Sequence, residues 1–413
     1  MPTALSLRDR ILPAAAAGAL ALAVGTAAYL LSCWLVPPGT TTSGFGEQWQ
    51  YMSADPLGLL GQLPHRILGP LLAYVFGMGG GLRYVYFVRG LAVLMLAVVF
   101  LYCRQQKSRA IDAALVTCAV AVTAPVQMYK LHWVGYTDPL CYALFFVMAM
   151  AARHTVVFWS LFFLNLLNHE LALFFLPWLW FLRREAGGSW RADALGAGAA
   201  LVLYAAFYYY VKAHAAQQLF SADYFLSHPL FPGGTFAVWA LALVQWTVAY
   251  GPLLAVLAWH QHRSTIRRDR WHFWLVFGGI LAVFCIAFDW QRHTNLIVLP
   301  FALASVRFLA AGHRLAYAGL GLVSVLLFLR WPAWGGSDWP TNQLWPPLFE
   351  SRLVFAKGLD YDFGGVREFA LGWVPLVWPI LLSVYAILAG IWLVGFWFAR
   401  RERARANQGP AII

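Results

Sequence analysis

The chain alternates long apolar stretches with short polar loops, and this alternation restricts its fold more than any other feature. The first apolar stretch alone, residues 11–36, exceeds the roughly 20 residues that a helix needs to cross a bilayer core. Among 413 residues, 61% are hydrophobic and 11% charged, and the mean hydropathy is +0.65. This composition is typical of a polytopic membrane protein. We therefore predict an all-α fold embedded in membrane lipids.

Hydropathy and length predict about twelve spans within a single transmembrane domain, residues 1–413. The spans are predicted at 12–36, 84–103, 110–128, 138–152, 155–168, 170–182, 194–212, 236–259, 271–289, 293–311, 315–330 and 371–398. The first is predicted to be a retained anchor, because it is longer than the apolar region of a signal peptide. Between spans we predict a large first outer loop at 37–83 with interfacial helices and a second outer loop at 331–370. A basic tail follows at 399–413.

Basic residues set the predicted orientation. The formal net charge is +12, and most of the 29 lysines and arginines fall in loops on the side of the two termini. The positive-inside rule makes that side cytoplasmic. The charge therefore reflects topology, and we predict no nucleic-acid partner. The expected location is a bacterial inner membrane, with both termini in the cytoplasm.

Carboxylates are predicted to gather at the opposite, outer face, next to or just inside apolar segments. An ionised side chain at the bilayer centre costs roughly 2.5 to 3.5 kcal/mol, and acidic residues contribute little to orientation. A functional site in an outward-facing cavity explains their position. The carboxylates are Glu47, Asp55, Asp138, Glu170 and Asp289. Structural roles stay open for two of them, because Asp138 precedes Pro139 as a helix cap would and Asp289 can pair with Arg292.

Cationic and imidazole side chains are predicted at the same face. The run 156–182 carries His169-Glu170 near its middle, so two short passes that meet at this pair fit better than one straight helix. An outer basic residue opposes the positive-inside bias and is a candidate ligand for an anion, although a lysine can also snorkel. The candidates for binding substrate are His65, Arg66, Lys130, His132, Asp138, His169, Glu170, Asp289 and Arg292.

Four motifs follow one another along the predicted spans. An acidic residue follows the first span in Gly46-Glu47-Gln48-Trp49, and an Arg-x-x-x-Pro element follows at Arg66–Pro70. Short paired spans surround Asp138-Pro139 and His169-Glu170, and a later outer Asp289-x-x-Arg292 precedes Pro300. In this organisation, the chain resembles the GT-C superfamily of polytopic glycosyltransferases over residues 1 to about 312.

The resemblance implies transfer of a sugar from a polyprenyl-phosphate carrier on the non-cytoplasmic face, by a single inverting displacement. In this family the acidic residue of the first outer loop acts as base or metal ligand. The matching residue is Glu47, with Asp55 as a second candidate. Because the second outer loop is short, we expect the acceptor to be a lipid or a glycan and not a protein. Carboxylate oxygens suit Mg²⁺ or Mn²⁺, but no ligand spacing in the sequence requires a divalent cation.

Other functions stay open from the sequence. A secondary transporter or lipid flippase would also place ionisable groups near mid-membrane and break its helices. Against it, the two halves of the chain show no inverted repeat, and the carboxylates gather at one face. A membrane acyl or phosphoryl transferase could use His65, His132 or His169 as base, but no histidine has a recognisable catalytic spacing. A purely structural role leaves Glu170 unexplained.

Overall fold

The structure is a computed structural model that describes residues 7–35, 37–42, 44–61, 63–131, 133–215, 250–263, 267–284, 295–329 and 377–407. Every regular element within these ranges is a helix, and no strand occurs in them. The predicted all-α class is therefore confirmed for the described chain.

The bounds of the helices follow the apolar stretches. The α-helices are α1 (Leu7–Leu35), α2 (Phe45–Met52), α3 (Leu68–Val75), α4 (Gly81–Gln105), α5 (Ala110–Ala121), α6 (Ala124–Leu131), α7 (Asp138–Met150), α8 (Thr155–Asn168), α9 (Leu176–Glu185), α10 (Trp190–His214), α11 (Leu254–Arg263), α12 (Arg267–Phe284), α13 (Val298–Ala310), α14 (Arg314–Leu329) and α15 (Val377–Asn407). Short 3₁₀ helices lie at Pro56–Gly58, Glu170–Phe175, Gly251–Leu253 and Asn295–Ile297.

Three of the described helices are long and apolar enough to cross a membrane: Ala15–Leu35 within α1, α4 and α10. Much of α1 and α10 lies outside the packed interior, and α10 exposes Leu195, Val202 and Leu203. An exposed apolar helix face is suited to contact with lipid. The predicted span 371–398 overlaps the 31-residue helix α15, and the other predicted spans in the described ranges coincide with shorter helices. The count of about twelve spans stays a prediction.

The predicted first outer loop contains helical structure of its own. The helices α2 and α3 and the 3₁₀ helix Pro56–Gly58 all fall between residues 37 and 83, and α4 begins at Gly81. The second predicted loop, 331–370, lies outside the described residues. Residues 399–407 of the predicted tail continue α15.

Backbone contacts divide the chain into two compact units. The first comprises Met1–Ala121, Val126–Glu170 and Leu182–Gln217, and the second comprises Val122–Pro125, Leu171–Phe181 and Gln218–Ile413.

In the first unit, α4 is the central helix, because α1, α5 and α7 all pack against it. The helix α8 packs on α7 and α10. A glycine allows the close approach of α1 to α4: a Cβ atom added at Gly25 of α1 would lie 2.8 Å from the backbone nitrogen of Ala97 in α4. Small residues at such contacts let two backbones approach closely in membrane proteins.

Within the first unit, a buried ion pair joins residues 182–185, the end of α9, to α10. Arg183 of α9 donates from Nε to Oδ1 of Asp193 in α10 over 2.7 Å. The same guanidinium donates to the carbonyl of Ala152 and to Thr155, while Trp159 donates to Asp193 over 3.0 Å. The side chains of Arg183 and Asp193 are only 1% and 0% exposed, so both charges depend on these partners.

In the second unit, α11 packs against α13 and α15, and the 3₁₀ turn before α11 packs against α14. Polar contacts hold the end of α11 to α15, because Arg263 lies 2.7 Å from Glu402. His313 also bonds to Glu402.

Candidate functional site

The candidate site is a cluster of charged and imidazole side chains around Glu170, at the turn that follows α8. Arg66, in the loop before α3, donates from Nε to Oε2 of Glu170 over 2.8 Å and from Nη2 to Oε1. This two-point geometry is the strongest arrangement of an arginine and a carboxylate. The remaining guanidinium N–H groups of Arg66 have no acceptor among the described residues.

Two histidines flank the same carboxylate. The Nε2 atom of His65 lies 3.5 Å from Oε2 of Glu170, and the Nδ1 atom of His169 lies 3.7 Å from it. Both rings are buried, whereas the Glu170 side chain is 28% exposed and so can be reached from outside. The Nδ1 atom of His65 is buried with no hydrogen-bond partner in the described chain.

The charges of the cluster favour an ionised Glu170. The Arg66 guanidinium donates to both carboxylate oxygens, and the imidazoles of His65 and His169 lie beside them, so a negative charge on Glu170 is paired. An ionised carboxylate with exposed edges accepts hydrogen bonds from ligand hydroxyl groups.

The loop that carries Arg66 is held by aromatic packing. The guanidinium carbon of Arg66 lies 6.0 Å from the ring centre of Trp49 in α2, and Trp49 packs edge-on to Tyr136 at 4.9 Å. Trp49 is 2% exposed. Helix α2 is thus anchored to the cluster through Trp49.

A second contact joins α3 to the start of α7. A Cβ atom at Gly69 would overlap the side chain of Thr137, so only glycine permits this approach of α3 to the start of α7. Asn168, two residues before Glu170, donates to the carbonyl of Thr137 over 3.2 Å. Residues near 66, 137 and 169 therefore meet in one place although they are distant in sequence.

Replacing Gly69 with alanine is expected to lower the free energy of unfolding by about 1 to 3 kcal/mol, because the added methyl group displaces Thr137. Thermal unfolding of the purified protein in detergent measures the loss. Gly90→Ala on α4 is the matched control, since a Cβ there meets open space. Equal stability of the two variants would contradict the close packing at Thr137.

Two tyrosines that the sequence did not indicate complete the cluster. The ring of Tyr208 in α10 packs edge-on to His65 at 5.3 Å, and Tyr204, one turn earlier, lies within electrostatic range of Glu170. The sequence signal that could have indicated them is their spacing of four residues, which places both tyrosines on one face of a helix.

The structure therefore brings together four of the residues predicted from the sequence: His65, Arg66, His169 and Glu170. Asp138 is close by in the chain, directly after Thr137, and is buried at the start of α7. Pro139 occupies the first turn as predicted, but the Thr137 side chain forms no capping bond.

The other predicted residues show no contact with this cluster in the described chain. Glu47 is exposed in the first turn of α2, and its carboxylate has no partner among the described residues. Asp55 caps the 3₁₀ helix Pro56–Gly58 by accepting from the backbone nitrogen of Gly58 over 3.2 Å. Lys130 is buried and donates to Ser32. His132, Asp289 and Arg292 lie outside the described residues.

The sequence analysis left open whether the protein binds a divalent cation. Among the described residues, no group of three or more histidine, cysteine, aspartate or glutamate side chains is arranged to hold an ion. The oxygens of Glu170 already accept hydrogen bonds from Arg66.

The described helices and this cluster define an α-helical protein with helices suited to cross a membrane and a buried, charged site. No protein-family model, curated protein or solved structure matches the chain.

Proposed function

We propose that the protein is a GT-C-like glycosyltransferase of about twelve spans in a bacterial inner membrane, with both termini cytoplasmic. It would transfer a sugar from a polyprenyl-phosphate donor to a lipid or glycan acceptor on the non-cytoplasmic face. The observation that carries this proposal is the Glu170 carboxylate, held by Arg66 between two histidines and beside two tyrosines.

This cluster is suited to a sugar phosphate. Glu170 would accept hydrogen bonds from sugar hydroxyl groups, and the tyrosine rings offer flat apolar surfaces to a sugar ring. The free N–H groups of Arg66 match phosphate oxygens, whose negative charge grows as the donor bond breaks. His65 and His169 can donate to the same ligand.

In the proposed reaction, an acceptor hydroxyl oxygen attacks the anomeric carbon while the bond from that carbon to the phosphate oxygen breaks. The bonding electrons leave with the phosphate, and the hydroxyl proton passes to a base. We assign the base to Glu47, because the exposed carboxylate has no capping or pairing role among the described residues. Asp55 is less suited, since its carboxylate caps a helix.

Replacing Glu47 with glutamine is expected to reduce sugar transfer by about 10²- to 10⁴-fold, the usual contribution of a general base. Because Glu47 is exposed, thermal stability should not change. Transfer from a labelled polyprenyl-phosphate sugar in reconstituted membranes measures activity. Asp55→Asn is the matched control and should retain transfer. Full activity of Glu47→Gln would remove Glu47 as the base.

The pairing of Glu170 with His65 also favours a second function, transfer of an acyl or phosphoryl group with His65 as base. A carboxylate at 3.5 Å from Nε2 stabilises the imidazolium that forms when Nδ1 takes a proton. Loss of activity in His65→Gln but not in Glu47→Gln, together with transfer of a group other than a sugar, would support this alternative.

A further inference from the structure

The second unit has a basic end, where α11 and α15 finish and α12 begins. Its exposed arginines are Arg270 in the first turn of α12 and Arg400, Arg401 and Arg403 near the end of α15. None of these four arginines forms an ion pair with a carboxylate in the described part of the chain. Their charge is therefore not neutralised there, and the proposed sugar transfer uses none of them.

The two carboxylates at the basic end have other cationic partners. Oδ2 of Asp269 lies 3.7 Å from Nε of Arg307. Glu402 pairs with Arg263 over 2.7 Å and also with His313. Each acidic charge is thus offset by an arginine other than the four exposed ones. An anion from outside the chain is needed to balance those four.

One histidine shows that the exposed arginines of α12 and α15 lie near each other. The ring of His262 in α11 packs edge-on to Trp392 at 5.6 Å and to Phe396 at 4.9 Å, and both of these residues belong to α15. His262 lies outside the predicted spans. Burial lowers the pKa of its imidazole, and the positive charges of Arg403 and Arg270 lower it further. Two helices therefore direct positive charge to the same place.

Exposed tryptophans border these arginines on both helices. Trp271 directly follows Arg270 and is 52% exposed. Trp397 is 51% exposed, and the guanidinium carbon of Arg401 lies 5.2 Å from the centre of its ring. Both tryptophans lie at ends of predicted spans, and tryptophan is enriched where a bilayer core meets the lipid headgroups. Arginines beside them are suited to reach lipid phosphates.

We propose that the basic end of the second unit binds anionic phospholipids, with Arg270 and Arg403 donating to headgroup phosphates. Arg400 and Arg401 extend the same surface along α15. Clusters of arginine next to a membrane span attract anionic lipids, and the predicted orientation puts this surface at the cytoplasmic leaflet. The basic end shares no residue with the Glu170 cluster, so this proposal does not depend on the proposed sugar transfer.

Native mass spectrometry of the purified full-length protein measures lipid binding during a titration with phosphatidylglycerol. Phosphatidylcholine with the same acyl chains, which has no net charge, is the neutral probe. Phosphatidylglycerol is expected to bind saturably and at least about 25-fold more tightly, since two arginines contribute about fivefold each. Equal affinity for the two lipids would overturn the proposal. Displacement of phosphatidylglycerol by an equal concentration of inorganic phosphate would overturn it too, because the ligand would then be a soluble anion.

The double variant Arg270→Gln/Arg403→Gln is expected to bind phosphatidylglycerol about 25-fold more weakly. The matched control is Arg83→Gln/Arg153→Gln, which removes the same charge from exposed positions of the first unit. Its affinity should equal that of the natural sequence. Unchanged binding in the first variant, or an equal loss in both, would contradict a site at the basic end.

Thermal unfolding separates lipid binding from a role of the arginines within the fold. In nanodiscs of phosphatidylcholine, the Arg270→Gln/Arg403→Gln variant should unfold at the same temperature as the natural protein, because both side chains are exposed. Phosphatidylglycerol in the nanodiscs should raise the unfolding temperature of the natural protein but not that of the variant. An equal destabilisation of the variant in both kinds of nanodisc would overturn the proposal.

Discussion

Replacing Glu170 with glutamine is expected to abolish most sugar transfer and to lower the free energy of unfolding by about 2 kcal/mol. The amide removes the negative charge that Arg66 contacts through two N–H groups, and the guanidinium is left without its acceptor pair. The transfer assay and thermal unfolding of the same preparation measure the two effects. Glu47→Gln is the control for the unfolding measurement alone, since it removes the same charge from an exposed position, and Asp55→Asn is the control for transfer. A Glu170→Gln variant as stable and active as the natural protein would contradict the importance of the Arg66 pair.

Replacing Arg183 with methionine is expected to lower the free energy of unfolding by about 3 to 5 kcal/mol. The change leaves Asp193 as a buried charge whose remaining described donor is Trp159. It also removes the bonds from the guanidinium to Ala152 and Thr155, which hold the start of α8. Thermal or denaturant unfolding in detergent measures the loss.

Two further variants separate charge from packing. Combining Arg183→Met with Asp193→Leu should recover much of the stability, because no unpaired charge then remains buried. Arg184→Met is the matched control, since the neighbouring Arg184 is exposed and bonds only to the nearby carbonyl of Gly188. If Arg183→Met were no less stable than Arg184→Met, the buried pair would not hold α9 to α10.

Hydropathy located several of the described helices, because a helix of membrane length needs a continuous apolar sequence. The prediction of 155–168 matches α8, and 84–103 falls within α4. The prediction of one span at 110–128 missed a break, since α5 ends at Ala121 and α6 begins at Ala124. Pro125 explains the break, because proline has no backbone N–H and fits only the first turn of a helix.

The site was predicted as a set of residue types but not as a geometry. Arg66 and Glu170 were both candidates, yet their direct pairing spans 104 residues, and no local pattern encodes a contact at that separation. Tyr204 and Tyr208 were missed because they lie in an apolar helix, where an aromatic residue resembles any other lipid-facing side chain. Which residues pair with each other and which residues line the site both depend on how the helices pack.

The separation between Arg66 and Glu170 also has a consequence for how the protein is made. At about 5 to 20 residues per second, roughly 5 to 20 seconds of synthesis pass between the two residues. During that interval the Arg66 guanidinium has no carboxylate and must stay in contact with water or lipid headgroups. The loop before α3 can therefore reach its final position only after α8 has been delivered to the membrane, so the cluster is completed late in biogenesis.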